Sequence, residues 1–152
     1  MKFDKFSWDK KKSTKLRFIR AGDIFCFHLD EGVFGFGRIM GKISMGHVGE
    51  IFDYFSDEPC FEDDLPKRLF PPIILDSYAL FDRKTSGDWR IVAHQNDFVV
   101  DEVGEIFFRS VDGKKVDFFD QVVGDARHGE SLIPYSSMRD GLIKKYIEKY
   151  KK

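Results

Sequence analysis

The stretch Gly22–Gly41, GDIFCFHLDEGVFGFGRIMG, constrains this chain more than any other. Alternation across Ile24–Leu29 puts Phe25, Phe27 and Leu29 on one face of a strand and Ile24, Cys26 and His28 on the other. The phenylalanine face is the expected core. Asp30, Glu31 and Gly32 then read as a three-residue connection whose glycine can take the left-handed conformation such loops need. The return strand from Val33 carries Gly35, Gly37 and Gly41, a spacing that lets a backbone bend sharply or another segment approach closely. A curved, partly barrel-like antiparallel sheet follows more readily than a flat one.

Downstream, Gly46–Phe55 reads as a third strand beside the second. Ser56–Pro72, SDEPCFEDDLPKRLFPP, breaks the period and reads as a surface connection with one helical turn near Asp63–Leu69. A fourth strand is expected over Ile73–Phe81 and a short fifth over Trp89–Ala93, with Trp89 a core anchor. Asp112-Gly113 between two β-rich runs predicts a two-residue hairpin turn with positive φ at both positions, joining Glu105–Val111 to Lys114–Phe119. Gly124–Gly129 reads as a loop. Leu142, Ile143, Tyr146, Ile147 and Tyr150 follow helical spacing, with Ser136 or Ser137 as cap, and place a helix over residues 138–150. The fold class is therefore mainly β (α+β): six or more strands closed by a C-terminal helix. Residues 1–16 read as a basic, solvated arm carrying Phe3, Phe6 and Trp8, and residues 17–152 as a single domain.

A chain of 152 residues buries about two thirds of its unfolded surface on folding, and 17 phenylalanines supply large core pieces that suit pleated surfaces. Two cysteines, Cys26 and Cys60, have neither the number nor the spacing of a disulfide framework or a zinc site. Reduced thiols and a cytoplasmic location are expected, since the opening MKFDKFSWDKKK has no apolar run of signal or membrane length. The net charge of −1 is unevenly spread: +6 over residues 1–20, −11 over 21–130 and +4 over 131–152. An acidic body repels nucleic acid and attracts a basic partner.

Motifs for chemistry are sparse. His28, His47, His94 and His128 are dispersed, and none forms the HExxH spacing of a zinc helix. Gly35 and Gly37 do not complete a phosphate-binding GxGxxG, and no serine sits in a GxSxG elbow. No catalytic residue, metal ligand or cofactor site is expected. Two acidic stretches stand out as partner contacts because loops display side chains outward: Asp57, Glu58, Phe61, Glu62, Asp63 and Asp64 in the long connection, and Asp97, Asp101 and Glu102 before the second hairpin.

An opening glycine-aspartate, alternating aromatics, an acidic-glycine turn and a glycine-rich return strand ending in Arg38 resemble the start of immunity family twenty-six of bacterial polymorphic-toxin systems. SGDWRIVAH, Ser86–His94, is similar to that family's glycine-then-tryptophan strand, so the resemblance spans about residues 17–108. It implies a protein that binds and neutralises a cognate toxin domain by occlusion, without catalysis, and a nuclease toxin would suit the acidic body. The alternative is a small β-barrel module that binds nucleic acid or acts on RNA, which would need a basic groove with exposed stacking aromatics.

Overall fold

The computed structural model describes residues 2–8, 18–81 and 88–151. Its centre is the expected hairpin, β2 (Asp23–Asp30) and β3 (Val33–Ile43). Phe25 lies opposite Gly37 and Phe27 opposite Gly35, so each ring lies over a residue with no side chain. A Cβ at either glycine would overlap the ring it faces. That close approach is why the glycines are there, and it lets both rings pack flat on the sheet.

The main sheet has six strands in the order β1-β6-β2-β3-β4-β5. Around the hairpin lie β1 (Phe3–Lys5), β4 (Gly46–Ser56), β5 (Ile73–Leu75) and β6 (Trp89–Gln95). A second sheet holds β7 (Phe107–Arg109), β8 (Lys114–Asp117), β9 (Val122–Asp125) and β10 (Ile133–Pro134) in the order β10-β7-β8-β9. Only β10 and β7 pair in parallel among these strands. Helices α1 (Ser77–Phe81) and α2 (Asp140–Tyr150) complete the fold. The mainly β expectation with a C-terminal helix holds, although the sheets bend without closing into a barrel.

The phenylalanine face is the larger core, as expected. Phe25 and Phe27 share one cluster with Ile106, Phe108 and Ile133 of the second-sheet region and Ile143 and Ile147 of α2. Trp89 stacks on Phe27 at 4.3 Å, and its indole N–H donates to Asp140 Oδ1 at 2.7 Å, which pins the first turn of α2 to the sheet. The opposite face is also buried, which alternation alone did not indicate. Ile24, Cys26, Phe36, Phe52, Val92 and Ala93 form a second cluster there, covered by Phe3, Phe61 and Leu65.

Several expectations are corrected. Phe3–Trp8 is not a solvated tail: β1 pairs with β6, Phe3 packs on Phe61 at 5.1 Å, and Arg90 lies over Trp8 while donating to its carbonyl. The basic run Lys10–Lys12, like Ser86 and Gly87, lies outside the described residues. Ile73–Phe81 divides at Asp76, whose side chain accepts the Ala79 N–H and turns the chain into α1. Near Asp63–Leu69 there is no helical turn; Lys67 and Leu69 instead bond the backbone of Asp53 and Ile51 along the edge of β4. At the second hairpin Gly113 has positive φ and Asp112 does not, giving a three-residue turn between Ser110 and Lys114. Part of Gly124–Gly129 belongs to β9. Neither Ser136 nor Ser137 caps α2, whose N-cap is Arg139.

Candidate functional site

The most heavily charged buried position is Glu50, on the same face of β4 as Phe52 and 4% exposed. A carboxylate so deeply buried needs a partner at each oxygen. Arg38, its direct partner across β3 and β4, donates to Oε2 from Nε at 3.0 Å and from Nη2 at 2.9 Å. Arg68, from the long connection, donates to Oε1 from Nε and Nη2, both at 3.2 Å. Each guanidinium reaches outward as well. Arg38 donates to Gln95 Oε1 at 2.7 Å and lies 4.3 Å from the Phe98 ring centre, and Arg68 pairs with Glu102. Burial works against the charge of Arg68, but Glu102 and Glu50 together hold its pKa above the ordinary value.

The network is balanced, two guanidiniums against two carboxylates, and both oxygens of Glu50 are taken up by guanidinium N–H groups. Beside it, Asp23 faces His94 at 2.8 Å and accepts the Arg20 N–H at 3.0 Å. Burial raises the Asp23 pKa against those favourable contacts. The pair ties the Gly22-Asp23 opening to β6, where the Gln95 N–H bonds the Gly22 carbonyl at 2.8 Å. Among the described residues no group of three or more His, Cys, Asp or Glu side chains is arranged to hold a metal ion.

Arg38, Met40, Gln95 and the segment 97–102 line an open cleft of about 280 Å³. Its volume lies at the small end of the roughly 300–1,000 Å³ usual for ligand pockets. Three of the acids expected as contacts, Asp97, Asp101 and Glu102, share this rim. The Lys2 N–H lowers the pKa of Asp97, and Glu102 is half-buried against Arg68. Asp57, Glu58, Glu62, Asp63 and Asp64 are all exposed on the long connection, with Asp63 joined to Lys5 at 2.9 Å. Phe61 departs from expectation: at 6% exposure it is turned into the second core against Phe3 and Phe36. Arg68, further along the long connection, pairs with Glu102 of the second acidic stretch. Arg38 had been visible only as the end of a motif, and Glu50, Arg68, Gln95 and Phe98 were not singled out. A charged residue inside the apolar strand GHVGEIF was the signal that could have found Glu50.

Fold and surface together are those of a small two-sheet β domain with a polar, open cleft. The chain belongs to the Immunity protein 26 family, whose model matches residues 20–120. That is the family the sequence motifs resembled, and membership implies an immunity role. No match is found among curated proteins or among solved structures.

Proposed function

We propose that this protein neutralises a basic toxin domain, delivered between bacteria in a polymorphic or contact-dependent system, by binding it in the cytoplasm and covering its working surface. Catalysis is not required. The observation that carries this reading, beside the family, is the acidic rim of Asp97, Asp101 and Glu102 on a cleft whose floor is braced by the Arg38–Glu50–Arg68 network. A rigid floor holds the acids in place before the partner arrives, which reduces the ordering cost of binding. The −11 body favours a partner with a basic cleft, such as a nuclease, and would speed encounter.

The test separates the two acidic stretches. One variant carries Asp97→Lys and Asp101→Lys; the other replaces Asp57, Glu58, Glu62, Asp63 and Asp64 by lysine together. Glu102 is kept because Arg68 depends on it. Binding to a basic antibacterial toxin domain from which the wild-type protein rescues growth, and that rescue itself, are measured for both. Rim acids should slow association and flatten its salt dependence, and a desolvated acid should cost about 2–5 kcal/mol. Full affinity and full protection in both variants would remove these acids from the interface.

A further inference from the structure

The second sheet ends in a strand with an open side. Among the described residues β9 pairs only with β8, and all four of its residues are exposed. Phe119, Val122 and Val123 are 63%, 61% and 52% exposed, and Met45 of the neighbouring β3–β4 turn is exposed too. Natural edge strands are usually blunted by lysine, proline or a covering segment. The segment 116–126, VDFFDQVVGDA, has no lysine, arginine or proline in it.

This edge is also held stiffly. Asp120, at the β8–β9 turn, has a φ of 63°, the left-handed region that non-glycine residues seldom adopt. Its carboxylate accepts the Ser44 N–H at 2.8 Å, the Ser44 hydroxyl at 2.9 Å and the Tyr135 hydroxyl at 2.6 Å. The Ser44 bonds fasten the β8–β9 turn to the β3–β4 turn of the main sheet, and the Tyr135 bond ties it to the segment just after β10. An exposed apolar edge fixed in this way is already in the shape a partner strand would need.

We infer that β9 is a docking edge that adds an extended, basic and apolar segment of the toxin domain to the second sheet. This rests on the reading that the partner is a toxin. Charge selects the occupant. Residues 116–126 hold Asp117, Asp120 and Asp125 and no basic residue; Lys114 of β8 pairs with Asp125 at 2.6 Å, whereas Asp117 and Asp120 make no ion pair among the described residues, so a strand with lysine or arginine beside its apolar side chains is complementary. A second copy of this chain would bring the Asp117 and Asp120 carboxylates of both copies to one seam, which like-charge repulsion opposes. Position agrees with a partner-specific role, since β9 begins just after the residues 20–120 matched by the family model.

The probe is an inactive form of a toxin domain from which the wild-type protein rescues growth. In the complex, backbone amides of residues 119–126 should exchange with deuterium at least 10-fold more slowly than in the free protein. The double variant Val122→Lys, Val123→Lys, which changes only exposed side chains, should keep the wild-type melting curve and bind at least 10-fold more weakly. A complex that forms with unchanged exchange at 119–126 and unchanged affinity in the variant overturns the edge assignment and leaves the partner reading standing. Failure of the wild type to bind overturns the partner reading and the edge with it. Protection of 119–126 that grows with protein concentration in the absence of the probe would assign the edge to a second copy.

Discussion

Arg38 and Glu50 face each other across β3 and β4, and the bond between them fixes one side of a carboxylate whose other side is held by Arg68. Glu50→Gln leaves two guanidiniums without their shared countercharge. The expected loss is about 3–5 kcal/mol in urea unfolding. Replacing Arg38 by Met, Glu50 by Leu and Arg68 by Met together should be nearly neutral for stability, because well-packed apolar groups often replace a buried ionic group without loss. That triple variant should still bind toxin more weakly, since the floor under Phe98 and the anchor of Glu102 are gone.

Removal of residues 2–8 should destabilise the protein. Phe3 packs on Phe61 and Trp8 on Phe34, and both cover the second core. Full burial of a large apolar side chain stabilises by about 1.5–3 kcal/mol, and these two are half-buried, so Phe3→Ala and Trp8→Ala should each cost about 1–2 kcal/mol. The measurement is the melting temperature of each variant, and an unchanged transition would show that β1 contributes nothing to the body.

What the sequence revealed was mostly local. Phe25 and Phe27 could be assigned to the core because a period of two and a short turn set their neighbours within the same hairpin. Burial of the opposite face is hidden, because Phe3 is brought to it by a pairing with Gln95, 92 residues on, and Phe61 by the long connection that runs back along β4. Strand β9 was hidden for another reason: Val122 and Val123 are followed by Gly124, and two apolar residues beside a glycine carry too little periodicity to separate strand from loop. At the candidate site the acids Asp97, Asp101 and Glu102 were legible from composition. The Arg38–Glu50–Arg68 network was not, since it depends on the β3–β4 register and on the path of the connection that returns Arg68 to β4.

Gly37→Ala should be among the most damaging small substitutions. A Cβ there would overlap both the Phe25 ring and the Glu50 carbonyl oxygen, and the second of these is backbone in the middle of the sheet. Overpacking of this kind costs about 1–3 kcal/mol, and with a backbone atom in the way the upper end is expected. Gly104→Ala, where nothing lies within 4 Å of the added carbon, is the matched control and should change stability by less than about 0.5 kcal/mol. Thermal unfolding of the two proteins side by side decides the point.

Acid sensitivity between neutrality and pH 5 should come from His47. Its Nδ1 lies 2.6 Å from the Ser77 hydroxyl, and its Nε2 is buried with no geometrically sound hydrogen bond among the described residues. Burial, with the nearby charge of Lys42 second, lowers its pKa below the ordinary 6.5, and the nearby backbone of Ile19 works against that lowering. The folded protein therefore binds fewer protons at this site than the unfolded chain does, so stability is lost as the pH falls through 6.5 and stops falling below the folded-state value. The slope is at most about 1.4 kcal/mol per pH unit. Asp23 acts with the opposite sign, because its raised pKa makes protonation favour the fold. Comparison with His47→Gln removes that contribution, since Asp23 is present in both proteins. The difference in unfolding free energy between wild type and variant should move against the wild type from pH 7.5 to pH 5. Parallel pH profiles would show that His47 takes up its proton equally well in the folded and unfolded chains.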